Sequence, residues 1–477
     1  PDGRPAEVLD EVFELFLSLD ANDEQLDFPT LYASGRGGFA GLTQDVREGN
    51  LNPLFETIVN HVPAPDADPD GPFKMLATLL DRDNFVGRVL TGRIASGKLT
   101  LNMPIKAIDD EGNIVEEGRA TKIMAFRGLE RVPVEQAGAG DIVAIAGLTK
   151  ATVSNSIVEP AVTEPLHAAK IDPPTLAMTF TVNDSPMAGR EGSKVTSRMI
   201  RDRLEREAEG NVSIKITESA EKDAFEVAGR GELQLGVLIE TMRREGFELT
   251  ISRPRVLFKD GPNGREEPYE QVVIDVDEEH SGTVVEKMAQ RKAELTDMRP
   301  SGGGKIRITF SGPSRGLIGY HGEFLSDTRG TGIMNRMFER YGPYKGKIEG
   351  RQNGVLISNG SGETVTYALG PLEARGVLMV GPQEPVYEGM IIGENAKPED
   401  LDVNPMKSKQ LTNFRASGGK DDAIRLTPPK RLTLEQAIAY IQDDELVEVT
   451  PKSIRLRKRH LDPHERKKAS RSAAATG

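Results

Sequence analysis

The sequence predicts a multidomain α+β/β chain: the remnant of an α/β domain, a small β-barrel, two ferredoxin-like split βαβ domains in tandem, and a mixed, mainly β C-terminal domain. Three observations carry this prediction. The 477 residues exceed what one hydrophobic core organises, since domains run to roughly 100–200 residues. The apolar residues change from helical to alternating spacing near Phe73, which marks a passage from helices to strands. After Leu176 the order β-α-β-β-α-β is written twice, and each copy makes one split βαβ unit.

Residues 1–65 open on Val8, Leu9, Val12, Phe13, Phe16 and Leu19 at helical spacing. A strand-like run over 28–33 leads into Ser34-Gly35-Arg36-Gly37-Gly38, and Asn52-Pro53 starts a helix with Leu54, Ile58 and Val62 on one face. Three elements cannot close a doubly wound sheet, so they are expected to lean on one another or on the next domain. A Pro- and Asp-rich linker follows. Over 72–162, short β runs at 86–94, 99–108, 120–126 and 141–146 punctuated by glycine predict the barrel.

Residues 173–258 begin with a strand alternating Leu176, Met178, Phe180 and Val182, then a helix carrying Val195, Met199, Ile200 and Leu204. Strands at 212–216 and 224–228 precede a helix with Leu235, Leu238, Ile239 and Met242, stopped at Gly246, and a strand alternating Phe247, Leu249 and Ile251. The same order recurs over 266–345, with helices at 283–291 and 317–326. Residues 346–460 mix short β runs, a polar loop at 406–422, a helix at 434–441 and a closing strand at 454–457. Residues 461–477 read as a disordered basic tail.

With 37% hydrophobic and 28% charged residues, the composition is globular. No apolar run approaches the roughly 20 residues of a membrane helix, so no membrane partner is expected. Zero Cys excludes disulfide scaffolds, thiolate metal sites and cysteine nucleophiles, and suits a reducing compartment, with the cytoplasm expected. The net charge of -13 is unevenly spread: residues 1–70 hold 15 Asp and Glu against 3 Lys and Arg, whereas 452–471 hold 9 Lys and Arg against 2 acids. A chain acidic on average therefore ends in a basic stretch able to meet phosphate.

Gly92-Arg93-Ile94-Ala95-Ser96-Gly97-Lys98-Leu99 matches phosphate-loop spacing up to its last position, where Leu99 replaces the hydroxyl that a magnesium ion needs. Its flanks are β on both sides, so a hairpin turn is expected rather than a strand-to-helix cradle. Gly189–Lys194 and Gly302–Lys305 are turns by their spacing. His460 and His464 are separated by Pro463, which argues against a helical metal pair, and His321 has no recognisable nucleophile or orienting carboxylate beside it. The 407–420 segment mixes cations, amide and hydroxyl donors, Phe414 and two glycines, a mixture that suits irregular RNA as well as an ordinary surface loop.

Several longer motifs resemble one family. Val86-Gly87-Arg88-Val89 through Gly92-Arg93-Ile94 is similar to the barrel domain of translational GTPases. Gly229-Arg230-Gly231-Glu232-Leu233-Gln234-Leu235 resembles the third domain of elongation factor G, and Gly316-Leu317-Ile318-Gly319-Tyr320 through Thr328-Arg329-Gly330 its fifth. Leu411-Thr412-Asn413-Phe414-Arg415-Ala416-Ser417 resembles the C-terminal domain peculiar to the BipA/TypA family of bacterial ribosome-binding translational GTPases. Elongation factor G itself lacks that domain. The family's phosphate loop, switches and Asn-Lys-x-Asp motif have no counterpart in these residues, and Pro1 is expected to follow the last of them directly.

The resemblance implies a ribosome-binding body acting in translation regulation, stress response or large-subunit assembly. It implies GTP and Mg as cofactors of the parent family, with none in this chain, and no GTP binding or hydrolysis by the fragment. Ser34, Gly35 and Arg36 would be a residual guanine-contact loop. RNA contacts would fall on Lys407, Lys409, Arg415, Lys420, Arg425, Arg455, Arg457, Lys458 and Arg459, the partners being ribosomal RNA and the transfer RNA acceptor end, with the chain a monomer. Two other readings stay open: a nucleotide hydrolase using the 92–98 loop, and an RNA-independent protein-binding scaffold.

Overall fold

The computed structural model describes residues 3–64, 66–83, 85–168, 172–219, 222–262, 264–348, 350–408 and 425–476. The chain falls into two compact units, Pro1–Thr78 with Asp83–His167, and Leu79–Arg82 with Ala168–Gly477.

In the first unit, Pro5–Ser18 and Asn52–His61 are helices started by an early proline, and neither buries any residue fully. Tyr32–Ser34 and Phe39–Gly41 form an antiparallel hairpin. Phe16 packs on Phe28 at 5.4 Å between ring centroids, so these elements do lean on each other. The rest of the unit is built on an eight-stranded sheet, with Lys98–Thr100 and Gln136–Gly138 forming a separate antiparallel pair. Val89–Gly92, Ile105–Ile108 and Val143–Ala146 are buried at every position, so these strands are covered on both faces. The ladder ends on Ile114–Arg119 and Glu130–Pro133, which are not paired with each other among the described residues.

In the second unit both split βαβ modules appear. The first places its strands in the order Lys215–Glu218, Ala224–Gly229, Leu176–Val182, Leu249–Ser252, with helices Ser197–Gly210 and Glu232–Arg244. The second orders Glu294–Gly302, Lys305–Pro313, Gly264–Asp277 and Ile333–Pro343 in the same way. Its second helical stretch is broken into Ser314–Leu317 and Tyr320–Asp327. Gly319 stands at the break with φ +74, and a Cβ there would lie 2.6 Å from the Ala439 Cβ. Glycine is the residue that tolerates both the left-handed backbone and the close approach.

The second unit departs from the expected row of separate domains. Leu249–Ser252 pairs not only with Leu176–Val182 but also with Glu445–Val449, almost 200 residues away in sequence. The sheet continues through Ile454–Lys458, Met390–Asn395 and Val355–Ser358 to Leu401–Val403, making eleven strands in all. Alternation at 247–251 suggests a half-buried strand, yet all four residues of Leu249–Ser252 are buried, because a strand paired on both edges and covered on both faces has no wet side. The core is shared accordingly: Met178, Phe180, Leu235 and Ile239 of the first module pack in one cluster with Ile357, Ile391, Ile438 and Val447.

A last difference lies at the C-terminus. Pro463–Thr476 is a helix, not the disordered tail expected. Asp462 caps it, its carboxylate accepting from the amides of His464 (2.6 Å) and Glu465 (3.1 Å), and these amides hold that carboxyl below its ordinary range. Pro463 is thus the first residue of a helix, where a missing N–H costs nothing, rather than a breaker within one.

Candidate nucleic-acid interface

The C-terminal part of the second unit holds a charged segment between two fixed ends. From Lys407 to Arg425 the sequence carries five cations, Lys407, Lys409, Arg415, Lys420 and Arg425, against Asp421 and Asp422. Before it, Leu401–Val403 runs parallel to Val355–Ser358, and the Met406 amide donates to Asn404 Oδ1 at 2.9 Å. After it, the Thr427 amide donates to Glu373 (2.6 Å) and the Lys430 amide to the Leu378 carbonyl (2.8 Å). Arg431 pairs with Glu384. Met406 and Leu426 both pack on the cluster built around Leu356, Leu369, Tyr387 and Ile392. The two stems are therefore seated on one core, and Lys407 and Arg425 at their ends are exposed. Lys409, Arg415 and Lys420 lie outside the described residues.

Three expected RNA contacts require correction. Arg455, Arg457 and Lys458 belong to the sheet interior and are spent on internal ion pairs. Arg455 pairs with Glu191 and, at 3.0 Å, with Glu448. Arg457 is buried and pairs with Asp184. Lys458 is buried among Asp400 (2.6 Å), Asp444 (2.8 Å) and Glu445 (3.0 Å). Burial alone would lower the Lys458 ammonium, and its three carboxylates more than reverse this. A phosphate could reach these cations only by displacing carboxylates at the cost of a buried unpaired charge. Arg459 is exposed and its amide donates to the Asp444 carbonyl at 2.8 Å.

Glu448 and Glu248, both fully buried, organise the seam between the first module and the C-terminal strands. Glu448 accepts from Tyr387 Oη (2.7 Å), Ser185 Oγ (2.9 Å) and Asn183 Nδ2 (3.0 Å) as well as Arg455. Glu248 accepts from the amides of Gly189 (2.7 Å) and Glu191 (2.8 Å). Burial would raise the Glu248 carboxyl, but these amides together with that of Gly192 bring it below the ordinary range. The glycine-rich 189–194 turn thus wraps the protein's own carboxylate.

The features that could have served nucleotide chemistry are arranged otherwise. Gly92–Ser96 is the end of the strand Gly87–Ser96, and after Gly97 the chain re-enters a strand, Lys98–Thr100, which pairs with Gln136–Gly138. It is a corner between strands, neither the hairpin expected nor a helix entrance. The Gly97 amide donates to the Asp68 carbonyl at 2.8 Å. Ser34 ends the first strand of the Tyr32–Gly41 hairpin and Gly35 and Arg36 lie in its turn, in the first unit, where Ser34 Oγ accepts from the Gly37 amide at 3.0 Å. No group of three His, Cys, Asp or Glu side chains among the described residues could hold a metal. An open concavity of about 420 Å³ in the second unit is lined by Arg201, Glu205, Glu209, Glu218 and Phe225, a set without a nucleophile or a paired base.

Basic residues read from sequence only as part of a disordered tail stand on the C-terminal helix. Lys467, Lys468 and Arg471 are exposed, and Arg466 beside them is turned inward to Asp402. The signal was present in Asp462-Pro463, a cap followed by a first-turn proline, with Ala473, Ala474 and Ala475 beyond.

The chain matches known proteins along nearly its whole length. Residues 72–158 match elongation factor G domain 2, residues 265–352 the elongation factor G C-terminus, and residues 353–463 the TypA/BipA C-terminal domain. It is 49% identical over 473 residues to the large ribosomal subunit assembly factor BipA of Escherichia coli (strain K12), covering 99% of this chain and 78% of that protein. The corresponding protein of Haemophilus influenzae is 48% identical, covering 100% of this chain and 77% of its own length, and that of Bacillus subtilis 46%, covering 99% and 77%. No helix among the described residues is long and apolar enough to cross a membrane. Carrying the factor G-like segments and the family's own C-terminal domain in one chain, the protein belongs to the BipA/TypA family of translational GTPases.

Proposed function

We propose that this chain is a ribosome-engaging body that acts in large-subunit assembly or translation control from the cytoplasm, as a monomer. The observation that carries the reading is the Lys407–Arg425 segment, five cations against two acids strung between stems seated on one core. Cations at such a position neutralise phosphates, and Phe414 can stack on an unpaired base. In this reading Lys407, Lys409, Arg415, Lys420 and Arg425 meet ribosomal RNA or the transfer RNA acceptor end, with Arg459 beside them. The relatives' role as large ribosomal subunit assembly factors supports the assignment. Residues 173–258 and 266–345 are read as counterparts of the third and fifth domains of elongation factor G.

The test is ribosome binding as a function of salt. Neutralising Lys407, Lys409 and Arg415 together weakens binding and lowers the slope of log K against log salt by about 2–3, at roughly 0.7–0.9 for each phosphate no longer neutralised. An unchanged slope would refute the proposal. Nucleotide hydrolysis is not assigned to these residues: calorimetric titration of the chain with GTP and magnesium is expected to give no heat of binding. Robust binding abolished by Lys98→Ala would favour the hydrolase instead.

A further inference from the structure

The geometry points to the helix Pro463–Thr476 as a second RNA-contacting prong, held by the Arg466–Asp402 ion pair to the strand Leu401–Val403 that leads towards Lys407. This rests on the ribosome-binding reading and extends it to residues outside that segment. The helix carries Arg466, Lys467, Lys468 and Arg471 against the single acid Glu465. Arg466 is spent at the base: it pairs with Asp402 and donates to the carbonyls of Leu461 and, at 3.2 Å, His460. Lys467, Lys468 and Arg471 are exposed and have no ion-pair partner among the described residues. Lys467 and Arg471 are four apart and share one helical face, with Lys468 on its flank.

The base of the helix and the first stem of the charged segment are one structure. Asp402 lies on Leu401–Val403, the last strand before Lys407. Leu461, just ahead of the helix, packs on the same cluster as Met406 and Leu426. Asp462 caps the helix from the same turn. Two cationic elements therefore spring from one footing. Three exposed cations with no ion-pair partner among the described residues fit a polyanion, and nucleic-acid phosphate is the partner of that chemistry. Arg466 and Asp402 are positioning residues here, while Lys467, Lys468 and Arg471 make the contacts.

The experiment titrates the whole chain against salt-washed bacterial ribosomes and against protein-free large-subunit RNA over a range of salt. Three variants are compared: the Lys407, Lys409 and Arg415 neutralisation, the triple Lys467→Ala, Lys468→Ala, Arg471→Ala, and Asp402→Asn. The helix triple is expected to weaken both titrations about tenfold or more and to lower the salt slope by about 2, with the melting curve unchanged. Asp402→Asn removes a negative charge and so, by charge alone, favours RNA. It is nevertheless expected to weaken binding about threefold, and to have no further effect in the helix-triple background. If wild type fails to bind ribosomes at all, the ribosome-binding reading itself falls. If the Lys407 variant weakens binding while the helix triple follows wild type, only the second prong is overturned. A helix effect seen with ribosomes but absent with protein-free RNA would put the helix on a ribosomal protein and overturn the RNA assignment.

Discussion

At Arg455 the difference between a cation in a strand and a cation on a surface is decided by what lies opposite. Its guanidinium joins Glu191 to Glu448, and burial, which would lower it, is outweighed by those two carboxylates. Arg455→Ala leaves Glu448 buried with one donor fewer, and is expected to cost about 3–5 kcal/mol in urea unfolding. Exchange of an exposed cation such as Lys467 should cost under about 0.5 kcal/mol by the same measurement. Gly319→Ala must hold φ near +74 with its Cβ against Ala439, and a loss of about 1–3 kcal/mol is expected. Glu240 shows the pH side of such pairing. Hydrogen bonds first from Arg243 and then Arg244 bring its pKa from 4.5 to about 2. Because the folded value is the lower one, its contribution is complete above about pH 4.5 and disappears as the pH falls towards 2. Glu240→Gln should therefore lower stability at pH 7 by about 1 kcal/mol after allowance for solvent screening, and its melting curve should meet that of wild type near pH 2.

At the scale of elements, periodicity locates most helices and strands but not their neighbours. The runs around Leu176, Leu235 and Val272 are legible because one face of each is apolar at a fixed period. The partner of Leu249–Ser252 is not, since nothing in an alternating pattern names a strand almost 200 residues further on. For the same reason Ile454-Arg455-Leu456-Arg457 is legible as a strand while its cations pass for a surface. Of the acids that claim them, Glu448 sits opposite on the neighbouring strand, but Asp184 and Glu191 arrive from segments far back in the chain. Pro463 misleads because a proline ends a helix from inside and begins one at its first turn. The joint can be tested directly. Val447 faces Ile251 on one side and Leu456 on the other, so Val447→Pro removes a ladder donor in mid-sheet at a cost of about 3 kcal/mol or more. Amides of 249–252 and 454–458 should lose hydrogen-exchange protection together. Loss confined to 454–458 would show that the two halves of the sheet open separately.

For the molecule as a whole, the charge map matters more than its sum. A net charge of -13 would suggest avoidance of nucleic acid, yet most of the excess of acids over cations sits ahead of residue 70, and Lys407, Arg425, Lys467, Lys468 and Arg471 are exposed on the C-terminal part of the second unit. The eleven-stranded sheet also makes that part inseparable from the first split βαβ module. A chain ending at residue 345 would bare the Leu249–Ser252 edge, four buried residues with unpaired backbone groups, and such an edge recruits other chains. Sedimentation velocity should show this truncation self-associating at concentrations where the full chain remains a single species.

That unbroken ladder also has a mechanical consequence. A strand-to-strand weld leaves no slack to absorb a pull: were RNA to tug on Lys407, the load would pass through Leu401–Val403 and across the hydrogen-bonded rows to Lys215–Glu218 at the far margin. The cationic tip would then behave as the end of a stiff lever, and what it grasps would be reported to the opposite rim of the sheet as tilt.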